Sequence, residues 1–258
     1  MNLQKSDMLV TVITVVYNGE KYLQQTIDSI KNQTYKNIEY IIIDGGSTDG
    51  TIDIIKNNKD IVSKYISEKD RGLYDAMNKG IALSNGELIG TVNSDDWYEL
   101  DTVETIVEAY KNNNSKSIFH ADRYDILEDE TRVRFNFNPS IFKFKYYRMT
   151  YSHPTMFITK GEYQEHNYNI NLSSHSDYQF TLEAWLKDPS KFFYIKKPLS
   201  NFRLGGISGS LSVFKRLREG YLARKYAGLS SIENIFSYIF RLSVFTFIKI
   251  KQTIKSSN

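Results

Sequence analysis

Short apolar runs alternate with amphipathic stretches along the first half of the chain. Leu9–Val16, Ile38–Ile43 and Glu87–Val92 are apolar, with many β-branched residues, and predict strands that are buried on both faces. Other apolar residues recur at helical spacing in three sets: Leu23, Ile27 and Ile30; Leu73, Met77 and Ile81; and Val103, Ile106, Val107 and Tyr110. This alternation predicts an α/β fold with a parallel, doubly wound sheet over residues 8–120.

The second half of the chain is less regular. Ser117–Ala121 and Phe192–Ile195 predict strands, Arg123–Phe137 predicts a hairpin, and Asp177–Lys187 predicts a helix. A Gly/Ser-rich loop runs from residue 203 to residue 210. We therefore expect one domain over residues 1–210, with a first half at 8–120 and a second at 121–210, followed by a helical tail at 211–258.

The tail is apolar and basic. Ile232–Ile250 is interrupted by Arg241 and Lys249, so it falls short of the ~20 apolar residues of a spanning helix. Residues 211–258 hold nine Lys or Arg against two Glu, a balance of +7, whereas the whole chain has a net charge of +3. An amphipathic helix on an anionic membrane surface is expected, and no nucleic acid partner. A helix packed on the domain, with a solvated basic face, is the alternative.

Composition and missing motifs exclude several classes of protein. The 258 residues include no cysteine, which excludes disulfides, thiolate zinc sites and cysteine nucleophiles and fits a reducing compartment. Met1–Asp7 is polar, which predicts no secretory signal. The sequence has no dinucleotide-binding G-x-G-x-x-G after the first strand, no phosphate loop of the G-x-x-x-x-G-K-[ST] type and no G-x-S-x-G nucleophile elbow.

Polar side chains follow three of the predicted strands. Tyr17, Asp44 and the pair Asp95-Asp96 each come where a strand ends, and the carboxyl ends of parallel strands share one edge of the sheet. Two adjacent carboxylates repel, so the pair favours a divalent cation that also contacts phosphate. Capping of the helix that begins near Asp101 is the alternative for this pair. Asp44 can accept a hydrogen bond from a nucleobase, and Tyr17 can stack on its ring.

Four segments carry a family resemblance. Residues 12–18 (VITVVYN), 43–51 (IDGGSTDGT), 70–80 (DRGLYDAMNKG) and 93–96 (NSDD) resemble the family 2 glycosyltransferases of GT-A fold. The resemblance covers about residues 8–205 and is strongest to the bacterial branch that builds O-antigen of lipopolysaccharide, capsule and exopolysaccharide. It implies a Rossmann-like, mostly parallel sheet flanked by helices, with a helical C-terminal extension.

The resemblance also implies roles for the donor-side residues. Tyr17 and Asp44 match positions that contact the nucleotide base, and Arg71 matches a basic residue beside it. Asp95 matches the residue that contacts the ribose. Asp96 matches the residue that holds Mg²⁺ or Mn²⁺ against the diphosphate.

Three further residues are implied to act on the acceptor side or over the donor. Asp177 matches the carboxylate base that deprotonates the acceptor hydroxyl, and an N-cap is its structural alternative. His153 lies in a segment that resembles one near the acceptor and the diphosphate. Arg203 opens a loop that resembles a mobile segment closing over the donor, where a guanidinium can pair with a phosphate.

The function implied is an inverting, metal-dependent transfer of a hexosyl or N-acetylhexosaminyl group from a UDP- or other NDP-sugar to a glycan. The acceptor is expected to be polyprenyl-diphosphate-linked (undecaprenyl) at the cytoplasmic face of the cell membrane, with the protein peripheral on that face. One alternative is a sugar-1-phosphate nucleotidyltransferase, whose usual G-G-x-G-T-R-L loop is not matched by residues 17–19. The other is a non-catalytic nucleotide-sugar or glycan-binding module, against which the intact Asp95, Asp96 and Asp177 argue.

Overall fold

The computed structural model describes residues 8–205 and 212–256. Strands and helices alternate over its first part, as the apolar pattern predicted. The strands are β1 (Val10–Val16), β2 (Ile38–Asp44), β3 (Lys64–Ser67), β4 (Leu88–Asn93) and the short β5 (Trp97–Tyr98). The helices are α1 (Leu23–Lys31), α2 (Thr51–Asn57), α3 (Leu73–Leu83) and α4 (Thr102–Asn112).

Four of these strands form a parallel block in the order β3-β2-β1-β4. In the register of this block, Val16 is opposite Asp44 and Val15 is opposite Asn93. The carboxyl ends of β1, β2 and β4 are therefore level with one another. The predicted parallel sheet is confirmed for this block, and the loops that follow the three strands lie side by side.

The second half extends the same sheet with mixed strand directions. Its strands are β6 (Ile118–Ile126), β7 (Arg132–Phe135), β8 (Phe157–Thr159) and β9 (Phe192–Arg203), and its helices are α5 (Lys160–Glu165) and α6 (Ser176–Lys187). β8 lies antiparallel between β4 and β6, β9 runs parallel to β6, and β5 pairs antiparallel with the outer side of β9. The sheet is thus continuous from β3 to β5. β6 spans residue 120, where the sequence predicted the boundary between the two halves.

Two predicted boundaries in this half were wrong. The strand at 117–121 and the first arm of the hairpin are one strand, β6, with an irregularity between Ala121 and Arg123 in its pairing with β9. β9 runs past Ile195 to Arg203, although Lys196-Lys197-Pro198 interrupts its apolar pattern. β9 continues past these polar residues because it pairs with β6 and β5. Local sequence propensity does not show such pairing.

Both faces of the sheet are covered by apolar side chains. Ile13 and Ile41 pack with Met77 of α3 on one face, whereas Val12 packs with Ile27 of α1 on the other. All seven residues of β1 are buried. This explains the uninterrupted apolar run at residues 9–16, and it gives the loops at the carboxyl edge a rigid base.

The C-terminal part of the chain forms two helices, α7 (Val213–Tyr226) and α8 (Ser231–Ser256). α8 packs on α7 and on a π-helical turn at Lys143–Tyr147. Lys145 in this turn forms an ion pair with Glu233 of α8. The side chains that α8 buries are polar, and they include Asn234, Ser237 and Arg241. Within the described ranges, no helix is both long and apolar enough to cross a bilayer.

Candidate active site

Hydrogen bonds join the loop after β1 to the loop after β2. Asn18 donates its N–H to Ser47 Oγ at 2.7 Å and accepts from Thr48 N–H at 2.9 Å. Asn18 has a φ of 49°, a left-handed conformation that Asn tolerates better than most residues. Gly50 N–H donates to Glu20 Oε2 at 2.7 Å. The two loops therefore form one connected rim at the carboxyl edge of the sheet.

Asp44, the last residue of β2, is fully buried under this rim. Its carboxylate accepts hydrogen bonds from Gly46 N–H at 3.0 Å, from Ser47 N–H at 3.1 Å and from Ser67 Oγ at 2.7 Å, and it also accepts from Ser47 Oγ. Asp44 thus fixes the turn that follows β2. Its predicted contact with a nucleobase stays a prediction.

Tyr17 and Arg71 lie beside the same turn. The Tyr17 side chain is 65% exposed, and a Cβ built on Gly45 would meet Tyr17 Cδ2 at 3.5 Å and Asp70 Oδ2 at 2.5 Å. Arg71, next to Asp70, keeps an exposed guanidinium whose Nη2 is 3.0 Å from Asp75 Oδ1. Gly45 thus allows the loops that carry Tyr17 and Arg71 to approach each other, and the structure brings both near Asp44.

Asp95 and Asp96 follow β4 on the next loop. Thr26 Oγ1 of α1 is 3.0 Å from Ser94 O and 2.7 Å from Asp96 O, which ties this loop to the first helix. Asp96 is 1% exposed, and burial together with the neighbouring Asp95 raises the pKa of its carboxyl group. Burial also raises the pKa of Asp95. Burial thus disfavours the ionised form of both carboxyl groups, and the charge of Asp95 disfavours ionisation of Asp96 further.

The helix-capping alternative for this pair is not observed. β5 separates the two carboxylates from α4, and the residue at the N-cap of α4 is Asp101. Asp96 instead accepts hydrogen bonds from Arg203 N–H at 2.9 Å and from Asn93 Nδ2 at 3.1 Å.

The oxygen atoms around Asp96 fit a hard divalent cation. Asn93 donates from Nδ2 to Asp96 Oδ2, and its Oδ1 is buried with no hydrogen-bond partner among the described residues. An all-oxygen donor set is the kind that Mg²⁺ and Mn²⁺ prefer. Glu162, Glu165 and His166 form another cluster that could hold a metal ion. It differs from the Asp96 site because a cationic side chain is already there: Lys191 Nζ lies 2.9 Å from Glu162 Oε2.

A cavity of about 260 Å³ opens between the end of β4 and the start of α6, and its lining includes Asn93, His153 and Asp177. Asp177 is the second residue of α6, whose N-cap residue is His175, so the alternative role of Asp177 as an N-cap is not observed. Its Oδ1 accepts a hydrogen bond from Tyr74 Oη at 2.8 Å. Burial, reinforced by the charge of Asp177, raises the pKa of Tyr74 well above its usual value, so Tyr74 is a neutral donor.

His153 lines this cavity, and Arg203 lies beside Asp96. His153 Nε2 is 2.9 Å from Tyr168 Oη, and burial lowers the pKa of His153. The Arg203 guanidinium pairs with Glu130 and packs on the rings of Tyr22 at 4.2 Å and Trp97 at 5.2 Å. The predicted closing loop after Arg203 falls largely on residues 206–211, outside the described residues.

Comparison with known proteins identifies the family of this chain. The sequence model described as Glycosyl transferase family 2 matches residues 11–168, which is more than half of the chain. The chain belongs to glycosyl transferase family 2. The predicted family is confirmed, although Asp177 and Arg203 lie beyond the matched range.

Family 2 relatives among curated proteins differ in how much of their length is shared. An uncharacterized glycosyltransferase of Mycobacterium tuberculosis is 31% identical over 222 residues, which cover 84% of this chain and 85% of that protein. Glycosyltransferase GlyA of Streptococcus pneumoniae is 36% identical over 152 residues, or 53% of this chain and 21% of GlyA. Chondroitin synthase of Escherichia coli is 28% identical over 218 residues, or 83% of this chain and 31% of the synthase. The match thus spans about a fifth to a third of these last two relatives.

Solved structures of similar fold confirm the predicted GT-A architecture. TarS of S. aureus in complex with UDP-GlcNAc aligns with a TM-score of 0.69 at 18% identity, over 91% of this chain and 72% of that chain. Mannosyltransferase PcManGT of Pyrobaculum calidifontis, in complex with GDP-Man and Mn²⁺, aligns with a TM-score of 0.62 at 15% identity, over 93% of this chain and 75% of that chain.

The sequence did not predict two residues of this cavity, Tyr74 and Arg123. Tyr74 lies within the 70–80 segment that carries the resemblance, but its bond to Asp177 joins residues 103 positions apart. Arg123 lines the same cavity, where its guanidinium packs between Phe135 at 4.5 Å and Phe202 at 4.3 Å. No local pattern marks Arg123, because it becomes a site residue only through the pairing of β6 with β7 and β9.

Proposed function

We propose that this chain is an inverting, divalent-cation-dependent glycosyltransferase that moves one sugar from a nucleotide-sugar to a glycan. The observation that carries the proposal is the cavity shared by Asn93, at the acidic end of β4, and Asp177, at the start of α6. A carboxylate that lies across a cavity from an acidic strand end suits a reaction in which a base and a charged leaving group act on opposite sides of one carbon.

The donor is proposed to lie along the carboxyl edge of the sheet. Tyr17 and Asp44 would contact the nucleobase with Arg71 beside them, and Asp95 would contact the ribose. The exposure of Tyr17 and of the Arg71 guanidinium supports this assignment. The family 2 fold neighbours bound to UDP-GlcNAc and to GDP-Man support a nucleotide-sugar donor, either a UDP-sugar or another NDP-sugar.

Asp96, with Asp95 and Asn93, would hold Mg²⁺ or Mn²⁺ near the donor diphosphate. When bound, the cation offsets the negative charge that develops on the departing nucleoside diphosphate. Arg203 is proposed to add a second positive charge for the diphosphate. Its backbone N–H bond to Asp96 and its attractive interaction with Asp95 already place it beside the acidic pair.

The transfer follows from the position proposed for Asp177. The acceptor hydroxyl oxygen attacks the anomeric carbon from the face opposite the diphosphate. The bond from that carbon to the diphosphate oxygen breaks, and its electron pair leaves with the nucleoside diphosphate. The hydroxyl proton passes to Asp177, which Tyr74 holds in place, and His153 borders the acceptor or the diphosphate. One displacement inverts the anomeric configuration.

The acceptor is proposed to be a polyprenyl-diphosphate-linked glycan at the cytoplasmic face of the membrane, within bacterial surface polysaccharide biosynthesis. The outer face of α8 supports a peripheral membrane position, because Ile232, Ile235 and Ile239 are all exposed on it. The +7 balance of residues 211–258 would draw this face toward anionic lipids.

The test is turnover of nucleotide-sugars by the purified protein. A panel of UDP-, GDP- and dTDP-sugars is incubated without acceptor, and the released nucleoside diphosphate is measured with Mn²⁺, with Mg²⁺ and with EDTA. We expect slow hydrolysis of one donor class that requires the cation. Binding of a nucleotide-sugar without any turnover, with or without an added glycan fraction, would instead support a binding module. Full turnover in EDTA would contradict metal dependence.

A further inference from the structure

A second cavity, of about 230 Å³, adjoins the first one at Asp177. The two cavities share Arg148, Met149, Ser174 and Asp177 in their linings. The far wall of the second cavity comes from the C-terminal helices, through Arg224 of α7 and Arg241 of α8. The tail therefore contributes two arginine residues to the lining of a space that opens at the proposed base. We call this space the arginine cavity.

Both arginines are buried. Arg224 is 1% exposed and donates from Nε to Lys145 O at 2.6 Å and from Nη1 to Gly220 O at 2.8 Å. Arg241 is 6% exposed and donates from Nη2 to Arg216 O at 3.2 Å. A Cβ on Gly220 would lie 1.8 Å from Arg241 Nη1 and 3.1 Å from Arg224 Nη1, so both guanidinium groups pack against this one glycine.

These two charges lack a carboxylate partner among the described residues. Neither arginine forms an ion pair there, and Arg224 Nη2 and Arg241 Nε are buried without any hydrogen-bond acceptor. The nearby acid of α7, Glu219, bonds instead to the N–H groups of Ser173 and Ser174. Burial and the neighbouring Arg224 lower the pKa of Arg241 to about 10.

Two buried like charges with free donors are costly unless an anion joins them. The guanidinium fork matches the oxygens of a phosphate group, and Arg148 at the exposed rim adds a third positive charge. A volume of about 230 Å³ is far larger than one water molecule needs, which leaves room for a phosphate or diphosphate.

We propose that the arginine cavity binds a phosphate or diphosphate group of the acceptor and thereby presents the acceptor hydroxyl to Asp177. This assignment rests on the proposed transferase function. The same chemistry has two sources, the diphosphate of a polyprenyl-linked acceptor and a phosphate carried by the glycan itself. Either would give the C-terminal helices a direct part in acceptor recognition.

The test is calorimetric titration of the full chain with inorganic pyrophosphate in EDTA. We expect wild-type protein to bind, and Arg241→Gln to weaken binding at least about tenfold, because it removes one charged fork. Arg218→Gln is the matched control, since Arg218 is an exposed residue of α7 that does not line the cavity. Arg148→Gln, at the rim, tests the same site if Arg241→Gln does not fold, and it should weaken binding at least about threefold.

Two further ligands distinguish the sources. Tighter, Arg241-dependent binding of farnesyl diphosphate than of pyrophosphate would support a lipid-linked diphosphate. Tighter binding of glucose 1-phosphate than of inorganic phosphate would support a phosphorylated glycan.

Absence of pyrophosphate binding by wild-type protein would overturn the proposal. So would equal binding by the Arg241→Gln, Arg148→Gln and Arg218→Gln variants. The titration contains neither nucleotide-sugar nor divalent cation, so its failure leaves the proposed transferase activity standing. Pyrophosphate binding without donor turnover would contradict the proposed function alone.

Discussion

At the scale of single residues, the acidic side chains of the site differ mainly in what surrounds them. Asp44 is buried and bonded to its own turn, Asp96 is buried beside a second carboxylate, and Asp177 is held by one tyrosine. The sequence predicted which acids follow strands, because the ends of parallel strands meet. It did not predict their partners, since those come from segments far apart in the chain.

Replacing Tyr74 by Phe tests the partner of the proposed base. The substitution removes the hydroxyl that donates to Asp177 Oδ1, so the carboxylate is no longer held toward the cavity. We expect kcat of transfer to fall about tenfold and the free energy of unfolding to fall by about 1 kcal/mol. The Kd for the donor should stay within about twofold of wild type, because Tyr74 is proposed to act only through Asp177.

Tyr40→Phe is the matched control for that variant. Tyr40 is equally buried, and its hydroxyl donates to Thr14 Oγ1 at 2.9 Å, away from the cavity. It should lose similar stability and keep wild-type kcat. Equal losses of kcat in both variants would contradict the proposal that Tyr74 positions Asp177.

At the scale of elements, a buried carboxylate joins the strands at the amino-terminal end of the parallel block. Glu39 of β2 accepts hydrogen bonds from Thr11 of β1, from Lys64 of β3 and from Asn85, which precedes β4. Burial opposes ionisation of Glu39, but these bonds outweigh it and lower the pKa of Glu39 to about 2. The apolar pattern predicted β1, β2 and β4, whereas nothing in the sequence around Glu39 indicated this role.

Glu39→Gln should therefore destabilise the protein in a pH-dependent way. Because the folded-state pKa is depressed from 4.5 to about 2, the ionised carboxylate stabilises the fold above about pH 5. That contribution is lost as the pH falls toward 2. We expect the variant to lose about 2 kcal/mol in the free energy of unfolding at pH 7, and to differ progressively less from wild type as the pH falls below 4.5.

Urea unfolding at several pH values measures this difference. Glu108→Gln is the control, because Glu108 is exposed on α4 and should change stability little at any pH. A Glu39→Gln deficit that stays constant from pH 7 to pH 3 would show that the lost stability does not come from ionisation.

The errors of prediction at this scale share one cause. β6 and β9 are longer than predicted, because the polar residues within them pair with residues of the neighbouring strand. For example, Ser200 and Asn201 are buried in β9, where short-range apolar periodicity assigns no strand. Boundaries of this kind depend on the neighbouring strand and cannot be found from the segment alone.

At the scale of the whole molecule, α8 buries polar side chains against the protein and exposes several isoleucines on its outer side. Ser237 and Arg241 are buried on the inner side, where Ser237 Oγ donates to Tyr146 O at 2.8 Å. On the outer side, Ile232 is 83% exposed and Ile239 60% exposed. The sequence left two positions open for this helix, membrane surface or protein surface. The structure shows contact with the protein on the inner side, and the apolar outer side supports the proposed membrane contact.

The double variant Ile235→Asn/Ile239→Asn tests membrane contact without removing the helix. It keeps the inner contacts of α8 and removes two large apolar side chains from its outer side. In sedimentation with vesicles of phosphatidylglycerol and phosphatidylcholine, we expect the fraction bound to fall, with about a tenfold loss in partition coefficient.

Leu100→Asn/Val133→Asn is the control, because it removes exposed apolar side chains from the domain rather than from α8. This variant should partition as wild type does. Unchanged vesicle binding by the α8 variant would contradict the membrane proposal. It would favour a protein partner for the outer side of α8 instead.

The most direct test of the central proposal is Asp177→Asn, measured for both donor binding and sugar transfer. The amide keeps the size of the side chain but cannot take the acceptor proton, so transfer should fall about 10²–10⁴-fold. The Kd for the nucleotide-sugar should stay within about twofold of wild type, since the donor is proposed to be held at the other side of the cavity. Wild-type transfer by Asp177→Asn would contradict the assignment of this residue as the base.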